Sequence, residues 1–232
     1  LLLRAGALKT AGCVERGSTV SDHDPLEKRV QHSLNTAVVN CLHDDVRIQL
    51  LDTPGAIEFV GQSLPALEAV ETAAVVISAT SGVDSTAQRM MAHAADRKLD
   101  RMIIVNRIDV PGADCAAVLA QIREVFGREC LPLNLPAGSG TRVVDCFFNR
   151  TGETDFSSPE AAHRALVEQV VEVDAEFVDR YLNQGDVEPA ELHAPLEQAL
   201  REGHLIPVCF VSAKSGAGVP ELLDVITRLL PN

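Results

Sequence analysis

At 232 residues the chain is long enough for one large domain, or one domain with a small insert, and for a substantial buried core. A composition of 46% hydrophobic and 23% charged residues excludes a disordered chain, and a net charge of −13 excludes a broad electrostatic grip on nucleic acid, leaving only local contacts with RNA. No apolar run approaches the roughly 20 residues that a bilayer crossing needs, and the first residues do not read as a basic-then-apolar leader, so no membrane association and a cytoplasmic location are expected.

In chain order, residues 1–6 read as the end of an amphipathic helix closed by Gly6. Residues 17–33 are polar, with Gly17-Ser18 and Asp22-His23-Asp24-Pro25 as turn signals, and predict a loop; the Asp22-His23-Asp24 cluster suits a surface turn better than a set of metal ligands. Strands are expected at 34–41 and 46–51, an antiparallel hairpin about the His43-Asp44-Asp45 turn. A helix over 57–72 should be kinked or split by Pro65. The unbroken apolar run 73–79 predicts a parallel strand buried on both faces. Residues 86–98 predict a helix that buries Ala87, Met90, Met91 and Ala94.

A strand at 102–105 and a helix at 113–126 follow. Residues 131–203 then have their own logic: extended 131–135 and 142–148, a polar hinge at 151–158, and helices near 160–183 and 189–202. A strand at 206–211 and an amphipathic helix at 219–230, opened by Pro220, close the chain. The six cysteines (Cys13, Cys41, Cys115, Cys130, Cys146 and Cys209) form no C-x-x-C pair, and several sit inside apolar runs. They predict buried free thiols in a reducing compartment, not a disulfide frame or a zinc site.

Three strand tips carry the chemistry. The first is Asp52-Thr53-Pro54-Gly55: an acid leaving a strand, followed by a glycine open to close approach, suits an Mg²⁺–phosphate site. Asp52 would hold the metal through water and the Gly55 N–H would meet a terminal phosphate oxygen. The second is Asn106-Arg107-Ile108-Asp109 and the third Ser212-Ala213-Lys214. The Asn106 amide can satisfy the acceptor edge of guanine, and the Asp109 carboxylate accepts from the ring N–H and exocyclic amine, an arrangement adenine does not offer. The Ala213 N–H would meet the guanine carbonyl, with Lys214 and the stem of Arg107 covering the ring faces. Each fragment alone reads as an ordinary loop. In this order, each after a strand, they predict a GTP site.

These residues resemble the third, fourth and fifth signature motifs of translational GTPases. Along nearly all of the chain, the spacing and the remaining sequence resemble elongation factor G, most of all its elongation-factor-G-like branch. The resemblance implies an α/β, doubly wound GTP-binding domain of the P-loop NTPase type, with the G domain at 1–130 and 204–232 and a small α/β inserted subdomain at 131–203. It also implies GTP and Mg²⁺ as ligands, hydrolysis to GDP and phosphate at the ribosome, and contact of the insert with a ribosomal stalk protein.

The sequence departs from the family pattern in several places. The phosphate loop G-x-x-x-x-G-K-[ST] is not found, and residues 1–6 resemble the helix that follows it, so the chain is expected to be an excerpt of a longer protein lacking that loop and the strand before it. Counted back without a gap from Asp52, Ser33 takes the place of the threonine that completes Mg²⁺ coordination, and Asp22 that of a family acid. Val30-Gln31-His32 replaces the family's Arg-Gly-Ile. Ala56 stands where the family has the histidine that orients the attacking water, so no catalytic side chain is assigned and unaided hydrolysis is expected to be very slow; Glu58 is the weaker substitute. The acidic residues of the insert, Glu160, Glu168, Glu172, Asp174, Glu176, Asp179, Glu188, Glu191 and Glu197, read either as a solvated face or as a surface for a basic partner. Two other classes remain open: a switch that binds GTP and hardly hydrolyses it, and an interaction module that binds no nucleotide.

Overall fold

The structure, a computed structural model, describes residues 1–148, 151–171 and 193–230. The chain forms two compact units, Leu1–Val70 and Glu71–Asn232.

The first unit opens with a glycine-closed turn, where the end of a helix was expected; residues 1–6 form no helix. Gly6 has φ 75°, the Ala7 N–H donates to Leu2 O at 2.9 Å, and the Gly6 N–H donates to Leu3 O at 3.2 Å, the bond pattern of a Schellman terminus. The segment read as a loop contains a short helix, α1 (Pro25–Val30), which corrects that expectation. Asp24 caps it by accepting from Leu26 N at 2.7 Å, Pro25 presets the first turn, and Glu27 reaches back to the Asp24 N–H at 2.9 Å.

The buried Glu27 carboxylate also accepts the N–H groups of Leu34 and Asn35, both at 2.9 Å, and so clamps α1 to the start of the hairpin. Strands β1 (Ala37–His43) and β2 (Val46–Asp52) pair antiparallel from Ala37↔Asp52 to His43↔Val46. Asp44 and Asp45 both have positive φ, 46° and 63°, as a two-residue type I′ turn requires. The segment expected as one helix at 57–72 is a 3₁₀ turn (Ile57–Phe59), α2 (Val60–Ala66) and a second 3₁₀ turn (Leu67–Ala69); Pro65 lies inside α2, in its last turn, and no break falls at it.

In the second unit, β3 (Thr72–Ser78), β4 (Asp100–Asn106), β5 (Cys130–Pro132) and β8 (Ile206–Phe210) form a parallel sheet in the order β3-β4-β8-β5. Helix α3 (Ser85–Asp96), capped by Asp84, and α4 (Cys115–Phe126), capped by Asp114, cover one face. Their core residues Ala87, Met91, Leu119 and Ile122 pack with Val75, Ile103, Val208 and Phe210 of the sheet. Helices α5 (Pro159–Val171) and α6 (His193–Arg201) pack on one another, α5 against β5 and α6 against β4. The closing helix is α7 (Val219–Arg228).

Strand β3 departs from expectation: Ala73, Val75 and Ile77 are buried, but Val76 is 60% exposed. It lies at the edge of the sheet, and α6 and α5 are placed against β4 and β5, so only the α3 side of β3 is sealed. The hairpin β6 (Asn134–Ala137) and β7 (Arg142–Asp145) is antiparallel. It is tied to the sheet by the buried Asn134 amide, which accepts from Phe210 N at 2.7 Å and donates to Phe210 O at 3.1 Å. Because β5 pairs with β8, the boundary expected at residue 131 falls inside a strand of the central sheet. The parts of the two expected helices at 172–183 and 189–192, with Glu172, Asp174, Glu176, Asp179, Glu188 and Glu191, lie outside the described residues.

All six cysteines are free thiols and, apart from Cys13, buried; burial pushes Cys130, Cys146 and Cys209 up to about 12. No helix among the described residues is long and apolar enough to cross a membrane.

The Glu27 clamp gives a prediction. The N–H groups of Leu34 and Asp24, then of Asn35 and His23, hold its carboxyl at about 2, below the ordinary 4.5. The stability this charge supplies is therefore complete above 4.5 and is lost as pH falls from there toward about 2. Glu27→Ala is expected to cost about 2–3 kcal/mol. In an acid titration of the thermal midpoint, Glu27→Gln should lose the part of the slope that falls in this interval, and a slope equal to the parent's would contradict the clamp.

Candidate functional site

The site in the second unit begins with strand adjacency. β4 and β8 run side by side in the same direction, with Val105 opposite Phe210, so the segments leaving their carboxyl ends emerge together. The Val211 N–H donates to Val105 O at 2.8 Å and extends that pairing by one residue.

Beyond it, Asn106 joins the two tips. Its Oδ1 accepts the N–H of Arg107 at 2.8 Å and the N–H of Ala213 at 3.0 Å. Two donors on one atom identify that atom as the amide oxygen, and among the described residues the Nδ2 donors have no hydrogen-bond partner. Arg107 has φ 68°, a left-handed turn that a non-glycine residue adopts uncommonly, and it leads into buried Ile108 and half-buried Asp109. Among the described residues nothing hydrogen-bonds the Asp109 carboxylate.

The third tip is a closed turn. Ser212 is fully buried, its N–H donates to Ala217 O at 2.8 Å, its Oγ accepts from Ser215 N at 3.1 Å, and its carbonyl accepts from Gly216 N at 2.8 Å. Ala213 and Lys214 are left exposed at its crest, and Arg107 is exposed on the neighbouring loop. Asn106, Arg107, Asp109, Ser212, Ala213 and Lys214 thus lie on two linked loops. One detail differs from expectation: the Ala213 N–H, assigned to a guanine carbonyl, is spent on Asn106.

The remaining candidates belong to the first unit. Asp52 ends β2 and is exposed. Pro54 is buried and its carbonyl accepts the Ser63 hydroxyl at 2.8 Å, which pins the turn. Gly55 is exposed, and a Cβ built there would meet nothing within 4 Å, so neither backbone strain nor a neighbour demands glycine. Ala56 precedes the 3₁₀ turn with no side-chain cap. Ser33 donates its hydroxyl to Asp22 at 2.9 Å, and Thr19 donates to the other oxygen of the same buried carboxylate. Asp22 and Asp24 are therefore engaged in loop and cap bonds, as the surface-turn reading of that cluster requires.

Sequence reasoning passed over Glu27 and Asn134. The first was announced by Asp24-Pro25-x-Glu27, a capping box on a helix too short to show an apolar stripe. The second was one polar residue in the apolar run 131–135.

A parallel sheet packed with helices and two loops joined at the strand ends make a mixed α/β domain, and the family and structural matches that follow place it in the P-loop GTPase class. The chain belongs to the elongation factor Tu GTP binding domain family, whose model matches residues 1–232. It is 32% identical over 245 residues to an elongation factor G-like protein of Mycobacterium tuberculosis, covering 100% of this chain and 34% of that protein. To elongation factor G 2 of Hahella chejuensis it is 30% identical over 251 residues, covering 100% and 37%. A crystal structure of a Thermus thermophilus protein superposes with a TM-score of 0.87 at 32% identity, over 100% of this chain and 37% of that one. The chain thus spans about a third of the length of these relatives. The family and the α/β fold class are those the motifs implied.

Replacing Asn106 by Leu removes the acceptor shared by Arg107 and Ala213 at similar side-chain size. It should cost about 1–2 kcal/mol in chemical denaturation of the intact protein. Exposed Lys214→Ala should change stability by less than ~0.5 kcal/mol. Equal effects of the two changes would show that the link between the loops holds nothing together.

Proposed function

We propose that this chain is the guanine-nucleotide-binding part of an elongation-factor-G-like GTPase that works at the ribosome in the cytoplasm. Asn106, Asp109 and Ala213 read the base. The observation that carries this reading is the Asn106 Oδ1 bond to the Ala213 N–H, which ties the two base-reading loops together and leaves the Asn106 amide donors unused by the described residues. Guanine presents ring acceptors to those donors and a paired N–H and amine to Asp109, while Arg107 and Lys214 supply apolar stems for the ring faces. When the base enters, the Ala213 N–H exchanges Asn106 for the guanine carbonyl at little cost, one charge-neutral hydrogen bond replacing another.

On the phosphate side the reading assigns Gly55 to the γ-phosphate and Asp52 and Ser33 to Mg²⁺, Asp52 through water. Both are oxygen donors, as Mg²⁺ demands, and the free space at the Gly55 Cα lets a phosphate oxygen reach its N–H. Bound Mg²⁺ would neutralise charge on the phosphates. The switch segments around Ser33 and Gly55 are then ordered by the γ-phosphate and released with it. The reading keeps the G domain at 1–130 and 204–232, with Leu131 and Pro132 of β5 completing its sheet, and gives the insert at 131–203 the face for a ribosomal stalk protein.

A second reading is favoured by Ala56, whose methyl cannot orient water: the protein binds GTP as a switch and hydrolyses it poorly. Single-turnover GTP cleavage with and without ribosomes separates the two. Strong acceleration by ribosomes supports the GTPase, and none supports the switch. For the base assignment, Asp109→Asn in the intact protein should shift the GDP-to-XDP affinity ratio by about 100-fold or more toward xanthine. An unchanged ratio would refute the role given to Asp109.

A further inference from the structure

The turn between β6 and β7 reaches into the loop that carries Asp109. Gly138, Ser139 and Gly140 take three successive left-handed conformations, φ 61°, 56° and 74°, and the Thr141 hydroxyl closes the turn on Gly138 O at 2.8 Å. Asp155 fixes its tip: the carboxylate accepts the N–H groups of Ser139 at 3.0 Å and Gly140 at 2.9 Å, while its own N–H donates to Pro136 O on β6 at 2.8 Å. The next residue, Phe156, packs edge-on against Phe210, the last residue of β8, with ring centroids 5.9 Å apart. Gly140 is buried, and a Cβ there would lie 2.0 Å from Ile108 O and 3.1 Å from Asp109 N. Only glycine fits without displacing the peptide that leads into Asp109.

We propose that Gly140 and Asp155 are positioning residues for guanine discrimination: the turn they build holds the Ile108–Asp109 peptide where the Asp109 carboxylate can meet both donors of the base. This inference rests on the reading of Asp109 as the base-specificity residue. Two parallel hydrogen bonds to one carboxylate tolerate little displacement, so a backbone pushed by a methyl at 140, or a turn released from Asp155, weakens that contact first. Neither residue touches the nucleotide.

The test compares GDP with IDP, which lacks the exocyclic amine, by fluorescent-nucleotide competition on the intact protein, with the thermal midpoint recorded for each variant. The GDP-to-IDP affinity ratio reports the Asp109 contact and does not depend on the fraction of active protein. Gly140→Ala should lower the ratio about 10-fold and Asp155→Ala about 3-fold. Asp155→Ala keeps the test decisive if Gly140→Ala does not fold. Asp109→Asn is measured alongside for its shift toward XDP. If that shift occurs while folded Asp155→Ala leaves the GDP-to-IDP ratio at the parent value, the positioning role is overturned and the base assignment stands. If Asp109→Asn produces no shift, the base assignment fails and the positioning role falls with it.

Discussion

Before a nucleotide binds, the hydrogen bond from the Ala213 N–H to the Asn106 side-chain oxygen is the contact that holds the two loops of the proposed site together. Strand pairing brings the ends of β4 and β8 side by side, but a sheet ends at its last ladder bond, and loops beyond it are free to splay. Asn106 limits that by taking one N–H from its own loop and one from its neighbour, and the Ile108 N–H, which donates to Val211 O at 3.4 Å, adds a second tie. The contact is a single hydrogen bond between residues far apart in the chain, yet it joins two strand ends into one surface.

That surface stands on a conventional base. Ile103, Val105, Ile206, Val208 and Phe210 have essentially no exposed area, and such side chains contribute about 1.5–3 kcal/mol each. The rigidity of the strands is therefore supplied well below the loops they present. Asn134 adds a polar tie at Phe210, and Gly140 brings the neighbouring hairpin against Ile108. The β6–β7 hairpin thus touches the segments that lead into both loops. In the first unit Glu27 does a comparable job for the segment before β1, with a single carboxylate gathering N–H groups that no strand or helix satisfies.

Much of this was legible in the sequence. The apolar runs at 46–51, 102–105 and 206–211 announced strands, and the polar tetrads and triad after them announced the loops, because strand burial and loop chemistry leave separate marks on neighbouring residues. Pro65 sits in the last turn of α2, and the α-helix gives way to a 3₁₀ turn two residues on. What the sequence hid was whatever depends on a partner distant in the chain. The helix α1 was missed because its signal is a cap and not a period, and the open face of β3 because an apolar run does not say which neighbours will cover it. The bond from Ala213 to Asn106 was hidden for the same reason: a backbone N–H carries no residue type, so only the juxtaposition of residues 107 positions apart reveals where it points. Gly140 belongs with these cases, since its glycine reads as a turn residue until Ile108 is seen against it.

The most direct test of the central claim is a crystal structure of the intact protein with GDP and Mg²⁺. The account predicts the guanine seated over the β4 and β8 loop ends, with its ring N–H and amine on the Asp109 carboxylate, its carbonyl on the Ala213 N–H and an Asn106 amide donor on its acceptor edge. A nucleotide bound elsewhere, with Asn106 and Ala213 still joined and Asp109 free of the base, would contradict it.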